Sequence, residues 1–133
     1  MEVVVDTNVL VSGLIRSHGC PAEIVQMITC GELVPAFDLR IVHEYGIVLS
    51  RDIFGFSKIA VERLLSAIRR LGRQVIPPHA TVSLPDEKDR CFYECALVAQ
   101  TNILITGNKK HFPPGLCTGI RILSPNEFLS TMQ

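Results

Sequence analysis

What this sequence lacks narrows its reading. Thirteen basic and thirteen acidic residues leave no formal net charge, which excludes a polyanion binder that works by bulk charge. No apolar run approaches the length needed to cross a bilayer. The first residues also lack the charged-then-apolar layout of a secretion signal, so a cytoplasmic protein with no membrane role is expected. No Cys-x-x-Cys pair occurs, and the five cysteines are an odd number; a disulfide framework is not expected. Cys91 and Cys95 lie one helical turn apart, but no second Cys or His pair at finger-like spacing completes a zinc set. Buried, reduced thiols are expected instead. No G-x-G-x-x-G follows the first apolar strand, which argues against dinucleotide binding. Repeats, low-complexity tracts and linkers are missing too, so the 133 residues read as a single domain, 1–133.

What is present is a core-forming chain, 47% hydrophobic and only 20% charged. Val3, Val4 and Val5, three β-branched residues ending in Asp6, predict a fully buried strand over Glu2 to Asp6. Asn8 to Ile15 reads as a short helix. A second helix starts near Pro21, a residue suited to the first helical position, and stops at Gly31. Leu33 to Ala36 is a short strand. Asp38 caps a helix with an apolar stripe through Ile41, Val42, Tyr45, Val48 and Leu49. Another helix runs from Ser57 to Gly72 on Val61, Leu64, Leu65, Ile68 and Leu71. Gln74 to Ile76, Ile103 to Ile105 and Arg121 to Leu123 read as strands, and a helix runs from about Asp89 through Ala99. Ser124, Pro125 and Glu127 form a capping box for a last helix. Strands separated by helices predict an α/β fold with a parallel sheet.

In open α/β sheets, ligands bind beyond the carboxyl ends of the strands. Asp6 ends the first strand there, where an unpaired carboxylate is costly. Thr106, Gly107 and Asn108 follow the fourth strand. Further acids lie at Glu44, in the middle of a helix, and at Asp86 and Asp89, where the helix macrodipole favours them. Each has a plainer reading: Asp6 and Asp89 as helix caps, Glu44 as a solvated helix acid, Asp86 as loop. Convergence of three or four of them would make a hard-oxygen site for Mg²⁺ or Mn²⁺. Glu94 lies five residues past Asp89 and is expected to point elsewhere. His43 is about 100° around the helix from Glu44, so the two are not expected to share a pocket.

The segment VVVDTNVLVSGL, Glu44 on the later helix, the stretch DEKDRCFYECALVA and the turn LITGNKKHF together resemble a PIN domain, of the VapC-like branch regarded as toxins of toxin–antitoxin pairs. The resemblance implies a three-layer α/β sandwich, with a central, mostly parallel sheet of about five strands and helices on both faces. It also implies a metal-dependent ribonuclease acting on single-stranded RNA, with Asp6, Glu44 and Asp89 as the acting carboxylates. These three, with Asp86, hold Mg²⁺ or Mn²⁺ in that reading. Thr7, Asn8, Thr106 and Asn108 support them; Thr7 ties down Asp6 or a water, and Asn108 orients a carboxylate, a water or substrate. Asn108 stands where many PIN domains place a further acid, which removes a charge from the side of a second metal. The resemblance further implies a homodimer and a small antitoxin protein over the acidic pocket.

Lys109, Lys110 and His111, beside the expected site, are candidate RNA contacts. Arg51, Lys58, Arg63, Arg69, Arg70 and Arg73 give the stretch from 51 to 73 an excess of four positive charges, either a solvated helix face or a contact for phosphate or an acidic partner. Two other functional classes stand beside the nuclease. One is a phosphatase or receiver using Asp6; a haloacid-dehalogenase-like enzyme needs a second Asp two residues on, where this chain has Asn8. The other is a PIN-like module that binds RNA or protein without cutting.

Overall fold

Val3, Val4 and Val5 have no exposed surface, and the strand they form, β1 (Glu2–Val5), lies at the centre of the molecule. Burying each of these side chains stabilises the fold by about 1.5–3 kcal/mol. The computed structural model describes residues 1–133. On one side of β1 runs β2 (Val34–Phe37), followed by β3 (Arg73–Gln74). On the other side runs β4 (Ile103–Ile105), followed by β5 (Arg121–Leu123). All neighbouring strands are parallel, so the sheet is a five-stranded parallel one, as expected.

The chain steps from β1 to β2 to β3 in one direction, then jumps back across the sheet to β4. Crossovers between parallel strands are right-handed, so the two directions place their helices on opposite faces. Helices α1 (Thr7–Ile15), α2 (Cys20–Thr29), α3 (Leu39–Leu49) and α4 (Lys58–Leu71) belong to the first leg. Helix α5 (Arg90–Val98) belongs to the return and packs on β1, β2 and β4. The last helix, α6 (Pro125–Thr131), joins the first group by packing on α2. The expected three layers result. β1 is where the strand order reverses, and the crevice between the ends of β1 and β4 is the switch point that α/β folds use for ligands.

The local starts and stops follow the chemistry read from the sequence. Asp38 accepts a hydrogen bond from Ile41 N at 3.1 Å, Ser57 one from Ala60 N at 3.4 Å, and Ser124 with Glu127 forms the reciprocal capping box. Gly72 ends α4 because nothing larger fits: a Cβ there would stand 2.4 Å from Ile68 O and 2.6 Å from Pro35 O. Three strands differ from expectation in their bounds. β1 ends at Val5, one residue before Asp6. β2 is Val34–Phe37, one residue later than read. β3 is Arg73–Gln74, although Val75 still donates to Phe37 O at 2.8 Å. Ile76 falls outside, 95% exposed, because β2 has by then turned into the α3 cap and offers no further partner.

All five cysteines are free thiols. Cys91, Cys95 and Cys117 are buried as expected, and burial pushes the Cys91 thiol up to about 12. Cys20 is half-buried and Cys30 exposed, which corrects the expectation for those two; both lie at the ends of α2, away from the sheet. No helix is long and apolar enough to cross a membrane.

Candidate active site

The parallel register pairs Val5 with Ile105, so Asp6 and Thr106 leave their strands side by side. Asp6 N donates to Ile105 O at 2.9 Å and Thr106 N to Leu123 O at 2.9 Å, which fixes both backbones. Asp6 occupies the cap position of α1 but makes no side-chain cap bond. Its Oδ2 instead accepts from Thr106 Oγ1 at 2.8 Å and from Asn8 Nδ2 at 3.2 Å. The capping alternative for Asp6 is thereby set aside. The amide of Asn8 works at both ends, since its Oδ1 accepts from Gly107 N at 3.0 Å and ties the two strand exits together. Asp6 is only 5% exposed. Burial raises its carboxyl above the usual range; the Thr106 hydrogen bond opposes this and the Glu44 charge adds to it.

Glu44 reaches the same crevice from α3. Tyr45, fully buried beside it, donates its hydroxyl to Val5 O and pins the helix to the end of β1. Burial, then the charge of Asp6, pushes that phenol well above its ordinary value, so it remains a donor. Thr7 was expected to tie down Asp6 or a metal-bound water; its hydroxyl donates to Glu44 Oε2 and not to Asp6. The reason is geometric. Thr7 already lies in the first turn of α1, which faces α3, whereas Asp6 still faces β4. His43 is exposed, as the helical angle predicted.

Asp89 enters from the start of α5, buried and also without a cap bond. Burial pushes its carboxyl up to about 6, with Asp6, Asp86 and Glu44 adding repulsion and His111 opposing it. Asp89 thus feels the charge of the other three acids. Asp86 differs from the rest: it is exposed, and its Oδ1 accepts from Lys88 N at 3.0 Å to cap the short 3-10 turn Glu87–Asp89. His111 Nδ1 stands 3.1 Å from Asp89 Oδ2. The contact has the distance of an ion pair but not the alignment of a hydrogen bond, and Asp89 Oδ2 is buried with no hydrogen-bond partner.

The basic residues differ in the contacts they make within the fold. Lys109 Nζ lies 2.9 Å from Glu127 Oε1, so it braces α6. His111 faces Asp89 on one side, and its Nε2 is 3.0 Å from Asn108 Nδ2. Asn108 therefore orients a histidine and not a carboxylate directly. Lys110 is exposed and outside any ion pair. In the basic stretch, Arg73 is taken up by a two-pronged pair with Glu2, with Nη2 to Oε1 at 2.7 Å. Lys58, Arg63 and Arg70 line an open depression of about 580 Å³ along α4.

Glu94 points away from the crevice, as expected. It is 1% exposed and accepts from Arg40 Nη1 at 2.8 Å and Ala80 N at 2.7 Å. Arg40 also pairs with Asp38 at 2.7 Å, so one guanidinium spans two buried acids. Sequence reasoning missed this bridge and the contact between His111 and Asp89. Neither has a local signal, since the partners are separated by 54 positions in the first case and lie on different elements in both.

The donor set at the crevice is all oxygen, which suits a hard divalent cation, and the orphaned Oδ2 of Asp89 is an acceptor short of a partner. No three His, Cys, Asp or Glu side chains stand arranged to hold a metal ion. The chemistry of the residues fits such an ion. A family model described as PIN domain matches residues 2–110. No curated protein and no solved structure matches the chain.

Proposed function

The chain belongs to the PIN domain family, and from that premise we propose that it is a Mg²⁺- or Mn²⁺-dependent endoribonuclease that cuts single-stranded RNA and serves as the toxin of a toxin–antitoxin pair. PIN domains are generally nucleases and typically use divalent metal ions. The observation that carries the reading is the set of mutually repelling carboxylates at the switch point: Asp6 and Asp89 buried, Glu44 beside them, one oxygen left unpaired. Keeping like charges together costs stability unless a cation joins them.

Asp6, Glu44 and Asp89 would hold the ion, with Asp86 contributing from the rim. When bound, Mg²⁺ or Mn²⁺ supplies the Lewis acidity that activates water and offsets phosphoryl charge. Thr106 and Asn8 hold Asp6 in one orientation, and Thr7 does the same for Glu44. Lys110, exposed at the rim, meets the phosphate backbone of a strand laid across the sheet edge. Asn108 leaves the crevice one carboxylate short, so substrate phosphate oxygens complete the set. A homodimer and an antitoxin belong to the same proposal. Exposed Leu39, Ile47, Ile53 and Ile59, at 52–85%, give such partners apolar surface to cover.

Cleavage of single-stranded RNA with Mn²⁺, compared between wild type and Asp6→Asn, tests the reading. Wild type is expected to cut, and the variant to fold but not cut. Undiminished Mn²⁺-dependent activity in Asp6→Asn overturns the role of Asp6. RNA binding without cleavage across several substrates would favour the non-catalytic module, a reading that Asn108 and the open carboxylate geometry motivate.

A further inference from the structure

Each ring nitrogen of His111 faces one neighbour. Its Nε2 lies 3.0 Å from Asn108 Nδ2, and its Nδ1 lies 3.1 Å from Asp89 Oδ2. Asn108 is itself anchored, its backbone N–H donating to Thr106 Oγ1 at 3.0 Å. The same hydroxyl donates to Asp6 Oδ2 at 2.8 Å. A continuous chain of contacts therefore runs Asp6, Thr106, Asn108, His111, Asp89 around the crevice. The short 3-10 turn Lys109–His111 brings the ring back over the Asn108 side chain, with His111 N donating to Asn108 O at 3.2 Å.

The direction of this chain follows from donor chemistry. An amide NH₂ offers only hydrogens, so the ring nitrogen facing it accepts. The ring hydrogen is then left on Nδ1, pointed at Asp89. A carboxylate at position 108 would demand the opposite tautomer. We propose that His111, held in this tautomer by Asn108, is a positioning residue that aims Asp89 into the crevice. Asp89 Oδ2 has no hydrogen bond in the resting arrangement, and a small swing of the ring closes the contact. Carboxylates that hold a metal need such an outer partner to fix their orientation. The inference rests on the reading that Asp89 holds the ion.

Two measurements test it. In metal-free protein, ¹⁵N NMR of the imidazole is expected to show hydrogen on Nδ1 and a bare Nε2 for His111. Asn108→Ala is expected to move the hydrogen to Nε2. Calorimetric titration with Mn²⁺ is expected to show about 10-fold weaker binding for His111→Ala, with His111→Gln, which keeps an N–H donor, recovering most of it. The ring is 41% exposed, so these variants spare the core. An Nε2–H tautomer in wild type, or Mn²⁺ affinity unchanged in His111→Ala, overturns the proposal. Asp6→Asn run in parallel separates the two levels. If wild type binds Mn²⁺, Asp6→Asn does not, and His111→Ala matches wild type, the positioning role alone falls. If wild type takes up no Mn²⁺, the metal reading falls and this inference with it.

Discussion

Replacing Asp89 by Asn in metal-free protein perturbs the crevice by an amount the structure allows one to work out. The Asp89 carboxyl is pushed from 3.8 up to about 6, first by burial and then by the charge of Asp6. At about 1.4 kcal/mol per pH unit, ionising it at neutral pH would cost the fold about 3 kcal/mol if the group were fully insulated. The side chain is 11% exposed at the mouth of an open crevice, so screening reduces this to about 1–2 kcal/mol. Because the folded pKa lies above the unfolded one, the stabilising contribution is complete below pH 3.8 and lost as pH rises through 6. Asp89→Asn removes the ionisation cost. In EDTA, its Tm by circular dichroism should match wild type near pH 4 and exceed it by about 3–8 °C at pH 7.5. Saturating Mn²⁺ should reverse the order, since an ion at 100 times its Kd stabilises wild type by about 2.7 kcal/mol and the variant has lost a ligand. A variant no more stable than wild type at pH 7.5 in EDTA, or a difference that does not change with pH, would refute the claim that crowded carboxylates destabilise the metal-free fold.

Arg40→Ala strands Glu94, 1% exposed, with the Ala80 amide and the exposed His79 ring, 3.5 Å away, as its remaining partners. Urea unfolding should show a loss of about 1–3 kcal/mol, and Arg40→Ala with Glu94→Gln should recover part of it because the buried charge is gone. Arg73→Ala removes the cation that holds the Glu2 carboxyl below its usual range. Its Tm should fall below wild type at pH 7, and the gap should narrow as pH drops below 4.5, where Glu2 is neutral in the unfolded chain. Gly72→Ala places a methyl group against two backbone oxygens, at 2.4 and 2.6 Å, and thermal melts should show it less stable by about 1–3 kcal/mol.

Most of the fold was legible because its signals are local. Three adjacent valines, the caps at Asp38, Ser57 and Ser124, and the stripe through Val61, Leu64, Leu65 and Ile68 each settle one element without reference to the rest. The ends of β2 and β3 were misplaced by one and two residues because a strand stops where its neighbour turns away. That is a property of two segments and not of one.

The candidate site was legible only as residue types. The sequence by itself determined that Asp6 would leave an oily strand at the sheet's carboxyl end and that oxygen ligands, not thiols, were available. Which hydroxyl serves which acid was decided in three dimensions. Thr106 took Asp6 because the β1–β4 register sets them side by side, and Thr7 took Glu44 because α1 had already begun to turn. Lys109 went to Glu127 and His111 to Asp89 for the same reason. Hydrogen bonds and ion pairs depend on distances of a few tenths of an ångström, and only the packing of distant segments sets those distances.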